Sequence, residues 1–203
     1  MNHAENEEGE HASRWLKVAI PVVVVLTVLA FLAILEDRRY TPTEQALWDL
    51  YLSLRLGVSH AGTSLTGIVT SAGNSSAAEI NRINLLAASR LLVQAGKICQ
   101  ALEGIDRRHR AEWSDLGGLL GEMWNDWLPG FDPRSIDHAT AKLIVDSGSS
   151  IHELGVALTE KETGALRNDA TRSGTVKGVM VDADRLRAFT AELRQLIEAT
   201  PSI

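Results

Sequence analysis

The sequence predicts an all-α protein, with one N-terminal transmembrane helix followed by an antiparallel helical bundle of four to five helices. Three observations carry that expectation. The run Val18 to Leu35 is apolar throughout apart from Pro21 and Thr27. From Leu47 onward, apolar residues recur at alternating steps of four and three, the spacing of a helical face. Aromatic residues make up only 5% of a chain rich in Ala, Leu, Gly and Ser, a composition that suits close-packed helices better than a β-sandwich.

At 203 residues, the chain has room for one ordinary domain with appendages. Residues 1–14 read as a disordered acidic tail, because "MNHAENEEGEHAS" has almost nothing to bury. Residues 15–40 read as a membrane anchor with its flanks, and residues 41–203 as the bundle. The anchor is long enough to cross a hydrocarbon layer of about 30 Å when its flanks are included. Trp15 and Tyr40 place an amphipathic ring near each headgroup layer, with Lys17, Arg38 and Arg39 as charged collars. A removed signal peptide would have a shorter apolar region and a small-residue cleavage site. Cleavage after Val28 and Ala30 would leave "FLAIL" as an exposed apolar start, so a retained signal-anchor is expected. Pro21 lies in the first turns, where its missing N–H costs least.

Arg14 and Lys17 on one side nearly balance Arg38 and Arg39 on the other, so the positive-inside rule decides little. The expected orientation puts the tail in the cytoplasm and the bundle outside it.

After the anchor, Thr41, Pro42 and Glu44 form a helix-start signature: a cap, a proline at the first position and a capping-box partner. The first helical face runs through Leu47, Tyr51, Leu54, Val58, Ala61, Leu65, Ile68 and Ala72. Gly57, Gly62 and Gly67 interrupt it. They are expected to leave a plain thin seam, with close helix approach or a ligand-sized gap as the other two explanations. Gly73 or Asn74 should stop this helix, and Ser76 with Glu79 should start the next.

That second helix, about Ala77 to Ile105, carries Leu85, Ala88, Leu92, Ala95, Cys99 and Leu102 on its inner face, broadened by Leu91 and Ile98. Cys99, the only cysteine, is therefore expected in the core, and no internal disulfide can form. A third, shorter helix carries Trp113, Leu116, Leu120, Met123 and Trp127 and stops at Pro129. With Trp124 and Phe131, its aromatic residues are expected to fill one end of the bundle. The competing expectation makes Trp113, Trp124, Trp127 and Phe131 an exposed interaction patch. Asp132 and Pro133 should open a fourth helix whose face runs through Ile136, Leu143, Ile144, Ser147, Ile151, Leu154 and Leu158. "RNDATRSGTVKGVMV" reads as a loop or short extended piece, and Asp182 to Ala199 as a last helix.

The net charge of −6 provides no basic field, which excludes nucleic acid as an expected partner. Asp106, His109 and Glu112 stand at steps of three and could face one metal ion, but Arg107, Arg108 and Arg110 crowd the same turn. An ion-paired helix junction is expected instead. Ser147, Ser149 and Ser150 lie near His152 without a nucleophile-elbow pattern, and His152 and Glu153 point in different directions. The only Glu-x-x-His spacing, Glu8 to His11, falls in the tail, which excludes a di-iron bundle. "NSS" at Asn74 fits a glycosylation triplet.

No enzyme, cofactor or metal is expected. The expected partners are the lipid bilayer and a protein, a second copy included. The expected role is that of a single-pass interaction or accessory subunit, and the alternative is a sensory bundle holding a small ligand near the glycines and tryptophans.

Overall fold

The structure, a computed structural model, describes Thr27, Leu29 and residues 44–160, 163–170 and 176–199. The chain divides into two compact units, residues 1–43 and 44–203. In the first, Thr27 and Leu29 are helical and exposed. The rest of the expected anchor and its flanks, Trp15, Lys17, Arg38, Arg39, Tyr40 and the Thr41–Pro42 start among them, lie outside the described residues. Among the described residues no helix is long and apolar enough to cross a membrane.

The second unit is a helical bundle with a small β-hairpin. Helix α1 covers residues 44–66. It is followed by α2 (Ser75–Ile105), α3 (Arg110–Glu122), α4 (His138–Ala157), strands β1 (Leu166–Ala170) and β2 (Val176–Val181), and α5 (Ala183–Glu198). The all-α expectation is thus corrected by two antiparallel strands. Leu166 pairs with Val181 and Ala170 with Val176, with a bulge between Arg167 and Asp169. β-branched Val176, Val179 and Val181 favour extended backbone, and Leu166 and Val181 pack on the core.

The first helix buries the predicted face from Tyr51 through Leu65. It ends one turn earlier than the spacing implies, and Ala72 is exposed. Asn74, not Ser76, caps α2. Its side chain accepts hydrogen bonds from the backbone N–H groups of Ser76 and Ala77, while Gly73 makes the reversal at φ +76°. The α2 face is buried as predicted, Cys99 included. That face also contains Asn81, at 0% exposure. Its amide accepts from Val69 N–H at 2.9 Å and donates to Val69 C=O at 2.7 Å, so one side chain closes both backbone groups of the α1–α2 loop.

Helix α3 runs on into a π-helical turn, Met123–Trp127, and a 3₁₀ turn containing Pro129. The expected α4 start is corrected. Asp132 instead closes a turn by accepting from Arg134 N–H, and Asp137 caps the helix at His138 by accepting from Thr140 N–H.

Helices α1 and α4 are antiparallel, because Gly62 meets Gly148 and His152 while Ser59 meets Gly155. A methyl group on Gly62 would lie 2.4 Å from His152 N, and one on Gly155 would lie 2.6 Å from Ser59 N. The glycines therefore permit backbone-to-backbone packing, and the plain thin seam expected for Gly62 is corrected. Gly57 similarly faces Ala95 of α2, and Gly117 of α3 faces Cys99.

Candidate functional site

Asp106, His109 and Glu112, the residues spaced as metal ligands, lie where α2, α3 and α5 meet. A short 3₁₀ turn, Arg107–His109, carries the chain from α2 into α3 and holds Asp106 beside it. The Asp106 carboxylate accepts from the Trp113 indole N–H at 3.1 Å and lies 2.9 Å from His109 Nδ1. Trp113 is fully buried and stacks on Tyr51 of α1, with ring centroids 5.7 Å apart. Burial, with the Asp106 charge adding to it, raises the Tyr51 hydroxyl well above its ordinary range, so it stays protonated.

Glu112 turns away from Asp106 and His109. Its Oε1 accepts from Arg187 of α5, from Nη2 at 2.5 Å and from Nε at 3.0 Å. Backbone hydrogen bonding at the helix start and then the Arg187 guanidinium hold the Glu112 carboxyl below the usual carboxylate range. Arg187 also reaches Asp184 at 2.9 Å. Asp106, His109 and Glu112 thus form two separate structural pairings. Among the described residues no group of three His, Cys, Asp or Glu side chains could hold a metal ion.

The Glu112–Arg187 pair walls a cleft of 340 Å³ that also contains Asp115, Arg194 and Glu198. Its walls alternate in charge, and the Thr190 hydroxyl that lines it donates back to Leu186 C=O on its own helix. A larger cleft, 770 Å³, lies over the start of α2 and includes Ser71, Asn74, Glu79, Arg82 and Arg134. Arg82 there is held by Glu79 at 2.6 Å. Ser71 is 1% exposed, and its Oγ has no hydrogen-bond partner among the described residues.

The serines near His152 do not assemble a relay. Ser149 and Ser150 donate back to the carbonyls of Val145 and Asp146 on their own helix. His152 instead crosses to α1, where Nδ1 lies 3.1 Å from Ser59 O and 3.1 Å from Thr63 Oγ1. The Ser59 carbonyl can only accept, so Nδ1 carries the proton and His152 serves to tie the two glycine-packed helices together.

The four aromatic residues of the expected patch fall into two places. Trp113 joins Tyr51 beside the α2–α3 turn. Trp127 and Phe131 meet edge-to-face at 5.5 Å, about 20 Å further along the α3 axis by helical rise. Trp113, Trp127 and Phe131 are buried, and Trp124 is half-buried. The ligand-sized gap, the alternative at Gly62, is filled by the α4 backbone.

Two features had weaker signals in the sequence. Asn81 sits at a core position of an otherwise apolar register, which marks a buried polar group needing partners. Ile80, Ile83 and Leu86 follow one another at steps of three along the outside of α2, at 48%, 54% and 43% exposure. No known protein family, characterised protein or solved structure matches this chain.

Proposed function

We propose that the chain is a single-pass membrane protein whose helical bundle lies outside the cytoplasm and acts as an interaction or accessory subunit of a membrane assembly. The observation that carries the interaction role is the apolar outer strip of α2, where three large aliphatic side chains face solvent in succession. A helix of 31 residues, about 45 Å long, presents that strip on the side opposite its buried inner face. The inner face holds α2 in place through Leu85, Leu92, Cys99 and Leu102. A rigid support of this kind limits the entropy lost when a partner packs on the strip. The anchor is read from the apolar run Val18 to Leu35, collared by Lys17, Arg38, Arg39 and the rings of Trp15 and Tyr40.

The test is site-specific photo-crosslinking of the full chain in native membranes. A photoreactive residue at Ile83 should give a discrete adduct, either with a second protein or with another copy. The same residue at Lys142, which is exposed on α4, should give none. Equal yields of no adduct at both positions would remove the interaction role. Recovery of the chain in the alkaline-soluble fraction would remove the anchor.

A further inference from the structure

We infer that the exposed turn between α2 and α3, centred on Ile105, Arg107 and Arg108, docks on the phosphate headgroups of an anionic bilayer surface. The inference rests on the membrane-anchored reading above and adds which part of the bundle meets lipid.

Ile105 is the last residue of α2 and remains 53% exposed despite its size. Arg107 and Arg108 follow it directly and are exposed. Neither has a carboxylate partner among the described residues. The neighbouring charges are already satisfied: Glu103 holds Arg110 at 3.1 Å, and Asp106 holds His109 and the Trp113 indole. An apolar side chain next to two uncommitted guanidiniums is the combination that suits a headgroup layer. The aliphatic group enters the acyl boundary, and each guanidinium donates to phosphate oxygens in a forked geometry.

The position of the turn within the bundle adds a second argument. Tyr51, in the second turn of the described part of α1, stacks on Trp113, which in turn binds Asp106. The turn therefore lies at the end of the bundle where α1 begins. Glu44, at that start, follows Leu35 by nine residues, a chain that reaches no more than about 30 Å when fully extended. A bilayer holding the apolar run is thus within reach of this end of the bundle. Within the bundle, Gly73 lies beyond the other end of α2, roughly 45 Å from the turn, and Gly130 about 30 Å from it by helical rise. Glu44 and Asp49 share the near end and favour contact through the arginine turn rather than through α1.

The test uses the full chain with Cys99→Ala, reconstituted in vesicles of phosphatidylcholine with phosphatidylglycerol that carry a headgroup nitroxide lipid. A fluorophore is attached at Gly104→Cys beside the turn, or at Gly130→Cys at the far end. Both positions are open around the missing side chain. Quenching should be several-fold greater at 104 than at 130. Arg107→Gln and Arg108→Gln should each weaken docking about fivefold, the effect of one basic residue near an anionic surface. Arg107→Lys and Arg108→Lys, which keep the charge but not the forked donors, should each retain more docking than the glutamine variants. Equal quenching at the two positions in a chain that resists alkaline extraction would overturn the docking and leave the anchor standing. Extraction by alkali would overturn both. Stronger quenching at 104 that ignores the glutamine variants, or that persists unchanged in phosphatidylcholine alone, would overturn recognition of the anionic headgroup.

Discussion

Glu112 at the start of α3 and Arg187 on α5 are joined by two hydrogen bonds to one carboxylate oxygen, across 75 residues of sequence. The pair ties the last helix to the junction that also holds Asp106, His109 and Trp113. The carboxylate is buried by surface exposure, while the guanidinium remains largely open to solvent. Screening on the open side keeps the contribution of the pair small.

This pair gives stability a pH dependence of definite sign. The folded Glu112 value lies below its ordinary 4.5, so the folded state holds the carboxylate charged where the unfolded chain would begin to protonate. The contribution is fully present above 4.5 and is lost as pH falls through the lower folded value. Glu112→Gln should therefore lower stability at neutral pH. The gap to the unaltered chain should close progressively in acid below 4.5, as followed by thermal melts of the detergent-solubilised protein. A gap that stays constant down to the lowest pH would show that the pair does not titrate with folding.

Gly62→Ala should destabilise the bundle by about 1–3 kcal/mol, because the new methyl meets α4 backbone that cannot step aside. Gly118→Ala, where nothing lies within 4 Å, is the matched control and should gain up to about 1 kcal/mol of helix propensity. Circular-dichroism melts of the two variants should thus shift in opposite directions.

Asn81→Leu removes the amide that closes the part-buried Val69 N–H and C=O. Each unpaired group costs about 1–3 kcal/mol. Hydrogen exchange at Val69 should accelerate with the loss in stability. Unchanged protection there would mean that another group closes the loop.

Cys99 is fully buried, and burial pushes its thiol up to about 12. It should resist thiol-reactive dyes near neutral pH until the chain unfolds, since the thiolate is the reactive form. Stoichiometric labelling of the native protein within minutes would contradict the packing around Gly117 and Cys99.

Much of the helical architecture is legible in the residues themselves. The α2 face from Leu85 to Leu102 is buried at the predicted positions, because helical periodicity depends only on residues within a few turns of one another. The α3 face, the stop at Pro129 and the extent of α5 follow for the same reason. The hairpin was less legible: "RNDATRSGTVKGVMV" has turn residues and β-branched residues, but pairing needs a partner strand and a core to lie on.

What the sequence by itself determined is the mainly helical architecture and which side of its long helices is apolar. The tertiary structure decided which faces meet and how closely. Gly62, read alone, is a weak point in a helix; against Gly148 and His152 it is the contact that lets two backbones touch. Asp106, His109 and Glu112 share a spacing along the chain, yet Trp113 and Arg187 draw them into different pairings. Likewise Asp137 rather than Asp132 caps α4, since the turn tied to Ser71 through Ile136 takes up the residues between them. Local spacing sets what a side chain can face, but the competition among distant partners for the same charges and surfaces is settled only when the helices pack.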